Sequence, residues 1–196
     1  RDAHWALIAG ALLGLGAAAK LYPALLLGPL FVLCLRAGQL RRFRLALAGA
    51  AGAWLVVNLP IMLAYPRAWS EFFAMNTSRG PEWDSWYFLS TLILPTDRLW
   101  SDESGHATTL LNGLSLVLFA IACAAIAWLA LSAARRPRFA QLAFLVVVAF
   151  LLTNKVFSPQ RALLLLPLAV LALPRWRPVV MWQLSEVVVW FLLMLS

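Results

Sequence analysis

The sequence predicts an all-α protein, a polytopic transmembrane helical bundle with about seven membrane segments. Of its 196 residues, 63% are hydrophobic and 12% are charged, so a soluble domain of this length would expose too much apolar surface to water. The apolar residues also form long runs that are separated by short, arginine-rich segments. We therefore expect lipid to cover much of the surface.

The chain begins with two apolar stretches, 4–19 and 21–35, each short for the roughly 20 residues that a straight span needs. Lys20 and Pro23 join them, so we expect a hairpin of two short or broken helices. Glycines in the first stretch would allow close contact between helices. They stand at positions 10, 14 and 16.

A clean span is predicted over 45–65, with a kink at Asn58–Pro60 near its far end. The next segment, 66–107, is polar, and we expect an irregular external loop. It contains one apolar insert, 86–95, which is too short to cross a membrane. Four further apolar segments complete the bundle. They are 109–133, 139–153, 162–174 and 179–196.

The positive charge follows the same division into segments. The net charge is +8, and ten of the sixteen Lys and Arg residues lie in short segments between apolar runs. These ten are Arg1, Arg36, Arg41, Arg42, Arg44, Arg135, Arg136, Arg138, Arg175 and Arg177. Such an excess of cations is typical of the cytoplasmic loops of membrane proteins. The pattern therefore predicts the orientation of the bundle and argues against nucleic acid as a partner.

This orientation places the remaining polar chemistry on the extracytoplasmic face. Lys20, the loop 66–107 and the turn 154–161 would all lie outside. Six of the eight acidic residues belong to that one loop: Glu71, Glu82, Asp84, Asp97, Asp102 and Glu103. We therefore look for functional residues at the external ends of the helices.

One candidate for an anion site is the polar turn that follows the run 139–153. Its cations Lys155 and Arg161 stand near the amides of Asn154 and Gln160. Compact cations beside hydrogen-bond donors suit a phosphate at the lipid interface, and Lys20 would supply a third cation. The alternative is that these cations only snorkel from helix ends to the interface.

A second candidate is the external loop, where aromatic and charged side chains come close together in the sequence. These are Arg79, Trp83, Asp84 and Trp86. Aromatic faces can cover a sugar ring and carboxylates can accept hydrogen bonds from its hydroxyls, so a sugar or acceptor site is one interpretation. An interfacial aromatic belt with a solvated loop is the other. His106 has no second histidine or cysteine nearby, so we expect no metal site.

Four stretches of the chain resemble one family of enzymes. The run GALLGLGAAAKLYPALLLGPL is similar to the Gly-x-x-x-Lys-x-Tyr-Pro stretch of polyprenyl-dependent glycosyltransferases of the GT-C superfamily. The run NKVFSPQRALLLLPL resembles their Asn-Lys-Val-x-Ser-Pro-Gln stretch. Together with NTSRGPEWDSWYFL and WQLSEVVVWF, these runs are similar in order and spacing to bacterial membrane proteins of glycosyltransferase family 87. The resemblance implies a GT-C-type fold.

The resemblance also implies an inverting hexosyltransferase of the bacterial cell membrane, multi-pass, with its active face extracytoplasmic. It would move a sugar, expected to be mannose, from a polyprenyl-phosphate donor to a lipid or cell-envelope glycan acceptor, without a cofactor. Motif positions assign the donor phosphate to Lys20, Tyr22, Asn154, Lys155, Ser158 and Gln160. Arg161 is added as a cation, although the family usually has tyrosine there.

The catalytic carboxylate of such enzymes lies in their first external loop, which here would precede Arg1. We therefore expect residues 1–196 to form a single transmembrane domain, the C-terminal portion of a longer protein, without its base. If the base is local instead, the candidates are Asp84 and Glu82.

Two other function classes are compatible with the same sequence. One is a transporter or flippase of lipid-linked precursors, with Glu186 lining its path, since a carboxylate within a span is expensive and often functional. The other is a non-catalytic membrane scaffold. The alternative for Glu186 is a structural role in bonding between helices, with Gln183 and Trp182 on adjacent faces to satisfy the carboxylate.

Overall fold

A computed structural model of the chain describes residues 2–82, 85–93, 106–156, 163–173 and 175–195. Within these ranges all regular structure is helical, which confirms the all-α prediction. The elements are α1 Asp2–Ala19, a 3-10 turn Tyr22–Leu26, α2 Leu27–Arg36, α3 Leu40–Ala64, α4 Pro66–Ser78, α5 Trp86–Ile93, α6 His106–Ser132, α7 Phe139–Thr153, α8 Leu166–Ala172 and α9 Trp176–Leu195.

Two of these helices are long and apolar enough to cross a membrane, Leu40–Ala64 and Thr108–Ser132. In their most apolar windows only 11% and 6% of the residues are buried, so their side chains face outward. An exposed apolar surface of this size is what lipid covers. Shorter apolar helices occur at Ala3–Ala19, Tyr22–Arg36 and Phe139–Thr153. The figure of seven membrane segments stays a prediction.

The chain folds into two compact units. The first consists of Arg1–Ser78 with Ala124–Phe139, and the second consists of Arg79–Cys123 with Ala140–Ser196. The chain changes from one unit to the other after residues 78, 123 and 139, and the second of these points falls inside α6. The predictions of one transmembrane domain over 1–196 and of a longer parent protein stay predictions.

The first unit is built on a close crossing of α1 and α3. Gly10 faces the backbone of Ala46 and Gly14 faces that of Ala50, while Gly49 faces the backbone of Leu7. A Cβ atom on any of these glycines would collide with main-chain atoms of the other helix. The predicted role of these glycines in close helix contact is thus confirmed at positions 10 and 14.

The predicted hairpin of short helices is also present. Helix α1 ends at Ala19, and Pro23 opens the 3-10 turn and packs its ring against Gly16. Helix α2 then ends in a Schellman turn, in which Gln39 N donates to Cys34 O and Gly38 N donates to Leu35 O. Gly38 has a φ of 65°, which is why glycine is needed there.

The interpretation of 66–107 as an irregular loop is wrong in part. Residues 66–78 form α4 and residues 86–93 form α5, while 94–105 lie outside the described residues. Helix α3 runs through Pro60 without a break in helical structure, although proline cannot donate to the carbonyl four residues before it.

Candidate functional site

Lys155 stands out among the described cations of the second unit because it is almost completely buried, with 5% of its surface exposed. It follows the end of α7, and its Nζ donates a hydrogen bond of 2.5 Å to the backbone carbonyl of Arg79. The carbonyl of Lys155 in turn accepts a hydrogen bond of 3.0 Å from the Glu82 amide. Two hydrogen bonds therefore attach the segment 79–82 to Lys155.

Tyr87 strengthens the same attachment from α5. Its side chain is 1% exposed, and its hydroxyl donates to the carbonyl of Thr153 over 2.9 Å. The Tyr87 hydroxyl also lies 3.3 Å from Oγ of Ser115 on α6. A buried phenol needs such partners, so Tyr87 fixes α5 against the end of α7.

Ser85 explains why α5 begins where it does. Its Oγ accepts a hydrogen bond from the Phe88 amide over 3.2 Å, which is the usual N-cap contact. Its amide and hydroxyl both donate to the carbonyl of Glu82, over 2.9 and 2.6 Å. The cap therefore links α5 to the segment that holds Lys155.

Glu82 is the candidate base that the structure describes. Oε1 lies 3.7 Å from Nη1 of Arg79, with half of the Arg79 side chain exposed, so this ion pair is weak. Oε2 is buried and accepts no hydrogen bond from any described residue. A buried carboxylate oxygen without a donor is costly, and a ligand hydroxyl would satisfy it.

Asn154 has a local structural role in addition to any role at a site. Its Oδ1 accepts a hydrogen bond of 3.0 Å from the Val156 amide, which closes an Asx turn around Lys155. Its own amide donates to Phe150 at the end of α7. The turn thus sets the direction in which the Lys155 side chain leaves the helix.

Burial also acts on the charge of Lys155. Because the ammonium ion loses hydration, the pKa of Lys155 is lowered from its ordinary value of 10.5. The buried ammonium group of Lys155 therefore loses its proton more easily than that of a solvent-exposed lysine.

Lys20 and Tyr22 belong to the first unit, where Lys20 is exposed and Tyr22 is half-buried. Lys20 lies at the edge of a cavity of about 200 Å³. Aromatic side chains and one amide form half of its remaining lining, namely Trp54, Asn58, Trp69, Phe72 and Phe73. The cavity thus combines one cation with a wide apolar wall.

The cavity wall is held by contacts between α3 and α4. Trp69 Nε1 donates to Asn58 Oδ1 over 3.2 Å, and Asn58 Nδ2 donates to the Trp54 carbonyl over 3.1 Å. The rings of Trp69 and Phe73 lie 4.8 Å apart. Sequence reasoning missed this group, although Trp69, Phe72 and Phe73 have the spacing of one helix face.

Several predicted site residues lie outside the described residues. They are Trp83, Asp84, Ser158, Gln160 and Arg161. Of the others, Trp86 presents a ring that is 51% exposed and 4.8 Å from that of Tyr87. Lys20 and Lys155 belong to different units, so their pairing around one phosphate stays a prediction.

Two further expectations concern other chemistry. Glu186 accepts a hydrogen bond of 3.0 Å from Trp182 Nε1 on the preceding turn of α9, so Trp182 helps to satisfy the carboxylate, while bonding of Glu186 between helices stays a prediction. Among the residues that the structure describes, no group of three His, Cys, Asp or Glu side chains could hold a metal ion.

Comparison with known proteins identifies the family. A model of glycosyltransferase family 87 matches residues 1–159, which include α1 to α7 and Lys155. No curated protein and no solved structure matches the chain. The match covers most of the sequence, and the apolar helices place the protein in a membrane. The chain therefore belongs to glycosyltransferase family 87, and its activity is the transfer of a sugar from a donor to an acceptor.

Proposed function

We propose that the protein transfers mannose from a polyprenyl-phosphate donor to a lipid or cell-envelope glycan, on the extracytoplasmic face of a bacterial membrane. The observation that carries this proposal is the buried ammonium group of Lys155 beside the segment 79–82. A buried cation next to a segment that contains Glu82, and that Trp83, Asp84 and Trp86 follow in the sequence, suits a donor with a phosphate and a sugar.

The chemistry of the donor explains why cations are needed. When the bond between the anomeric carbon and the phosphate oxygen breaks, negative charge develops on the lipid phosphate that leaves. A fixed cation in a dry site stabilises that charge without reorganisation. We assign this role to Lys155, supported by Asn154, Ser158, Gln160 and Arg161.

The first unit would contribute to the same donor. In the proposal Lys20 and Tyr22 contact the phosphate, and the aromatic cavity beside Lys20 receives the first isoprene units. The combination of one exposed cation with an apolar cavity supports this assignment, since a polyprenyl phosphate has the same two chemical parts.

Inversion requires one displacement with a general base. The acceptor hydroxyl forms the new bond to the anomeric carbon on the face opposite the phosphate, and its proton passes to a carboxylate. Glu82 is the local candidate because Oε2 is buried and lacks a described donor, and Asp84 is its neighbour in sequence. A carboxylate of an upstream loop is the alternative that the family resemblance implies. Arg79, Trp83 and Trp86 would contact the sugar or the acceptor.

The decisive experiment supplies the protein, in membrane vesicles, with radiolabelled polyprenyl-phosphate mannose. We expect the label to pass to a lipid or glycan acceptor. Lys155→Met removes the ammonium group but keeps the length of the side chain, so transfer should fall by about 10²–10³-fold. Arg67→Gln, at an exposed cation of α4, is the matched control and should transfer normally.

Three results would contradict the proposal. One is transfer from a nucleotide sugar and not from the polyprenyl donor. Another is movement of the labelled lipid across the vesicle membrane without transfer, which would favour a flippase. The third is full transfer by a correctly folded Lys155→Met variant, since the leaving phosphate would then not depend on Lys155.

A further inference from the structure

A second cavity lies in the first unit, at the end of α1 opposite Lys20. It has a volume of about 530 Å³, and Trp5 is one of the residues that line it. Its most deeply buried walls are Leu33, Cys34 and Ala46, which are 5%, 8% and 2% exposed. Since residues 5 and 19 are fourteen apart on α1, Trp5 at this cavity is roughly 20 Å from the end of the helix that precedes Lys20.

Cationic side chains line the same cavity beside these apolar walls. Arg42 from α3 and Arg136 from the segment before α7 both contribute, together with the amide of Gln39. Arg42 and Arg136 are exposed residues, while the walls behind them are apolar. The cavity therefore combines a positive entrance with an apolar interior.

Two arginines fix the helix ends that form this entrance. Arg36 donates to the carbonyls of Ala130 and Ala133 over 2.5 and 2.6 Å, which ties α2 to the last turn of α6. Arg136 donates to the carbonyl of Leu33 over 3.2 Å, which ties the following segment to α2. That bond occupies one of the five N–H groups of the Arg136 guanidinium, whose planar fork is suited to phosphate oxygens.

We propose that this cavity binds an anionic phospholipid, with the phosphate at Arg42 and Arg136 and one acyl chain along the apolar walls. Charge complementarity selects the headgroup, because basic pockets between membrane helices bind anionic lipid headgroups. The buried walls of Leu33, Cys34 and Ala46 select an occupant with a hydrocarbon chain, which a free anion lacks.

Trp5 lies at the cavity and reports on its occupant. The protein would be reconstituted in phosphatidylcholine vesicles that contain a low fraction of a lipid brominated on its acyl chains. This brominated lipid would be phosphatidylglycerol in one series and phosphatidylcholine in the other. Bromine quenches tryptophan emission at contact. The difference in emission between the wild type and the Trp5→Phe variant isolates the signal of Trp5 from those of the other tryptophans. We expect brominated phosphatidylglycerol to quench Trp5 at a several-fold lower fraction than brominated phosphatidylcholine.

Matched double variants separate the cavity from the general surface charge. The variant with Arg42→Gln and Arg136→Gln should lose this several-fold preference for brominated phosphatidylglycerol. Arg41→Gln with Arg44→Gln removes the same charge from exposed residues of the same region and should keep it. Because Arg136 also bonds Leu33, a variant with Arg42→Lys and Arg136→Lys tests the charge alone, and it should retain most of the preference.

Each of four results would overturn the proposal. Equal quenching by both brominated lipids would remove the headgroup preference. An equal loss in both Gln double variants would assign the preference to diffuse surface charge. Insensitivity of Trp5 to either lipid would mean that protein fills the cavity. Loss of the preference on adding inorganic phosphate, at matched ionic strength, would assign the site to the free anion.

Discussion

At the scale of single residues, Lys155 is the position where structure adds most to the sequence. A cation that only snorkels would extend its ammonium group into water or headgroups, but Lys155 is buried and donates to the Arg79 carbonyl. Burying a charge without a strong stabilising role is expensive. The contact therefore does not fit the snorkelling interpretation of Lys155, and its role at an anion site stays a prediction.

The burial of Lys155 gives a pH dependence with a definite sign. Its pKa is lowered in the folded protein, so between that value and 10.5 the unfolded chain binds more protons than the folded one. The contribution of Lys155 to stability therefore increases as pH rises through this window and is lost as pH falls through the lowered pKa. The unfolding temperature in detergent, recorded at a series of pH values from neutral upward, measures this contribution.

The comparison that isolates this effect uses two lysine variants. Lys155→Met should lack the alkaline gain in unfolding temperature, while Lys20→Met, at an exposed lysine, should keep it. If the unfolding temperature depends on pH in the same way in the wild type and in Lys155→Met, then Lys155 does not lose its proton more easily in the folded protein than in the unfolded one.

At the scale of secondary-structure elements, the crossing of α1 and α3 organises the first unit. In lipid, helices associate through close packing and not through the hydrophobic effect, so small residues determine where backbones can touch. Gly10 and Gly14 stand one turn apart on α1, opposite Ala46 and Ala50 of α3. The crossing fixes the helix that carries Lys20 at one end and Trp5 at the other.

This packing predicts a large effect from a single methyl group. In Gly14→Ala the new Cβ would collide with the Ala50 backbone, so we expect a loss of about 1–3 kcal/mol in unfolding free energy. Gly52→Ala on α3 is the control, since its Cβ meets no atom within 4 Å, and it should gain up to ~1 kcal/mol. Equal shifts of the two variants in a denaturation experiment would refute the packing argument.

Helix α4 shows how a second element completes a site. Its aromatic residues Trp69, Phe72 and Phe73 line the cavity beside Lys20, and Asn58 of α3 anchors Trp69. The polar residues of the segment 66–78 suggested a loop, but the three aromatic residues follow helical spacing. The prediction of a loop followed from the polar composition of this segment, whereas its helical periodicity indicates the structure that is observed.

At the scale of the whole molecule, charge asymmetry predicts which face of the membrane each site occupies. Arginines flank the cavity near Trp5, whereas Lys20 and Lys155 belong to segments predicted outside. By the positive-inside rule we expect the cavity near Trp5 to face the cytoplasm and the proposed transferase site to face outward. A sugar donor built on a polyprenyl carrier would then react on the external side.

Cysteine labelling tests this orientation. In a background with Cys34→Ala and Cys123→Ala, Ser78→Cys should react with a membrane-impermeant maleimide on intact cells. Ala134→Cys, in the arginine-rich segment before α7, should react only after the membrane is permeabilised. Both positions are exposed, so a difference reports on sidedness. Labelling of Ala134→Cys on intact cells would reverse the orientation and move the proposed reaction to the cytoplasm.

The sequence by itself determined the helical class, the membrane setting, the family and the close packing at Gly10 and Gly14. These properties depend on composition, on periodicity and on short motifs, all of which are local in the chain. Tertiary structure alone decided that Lys155 meets the carbonyl of Arg79, 76 positions earlier, and that Trp69 lies beside Lys20. Such contacts depend on how helices pack, and packing brings together residues whose sequence separation carries no periodic signal.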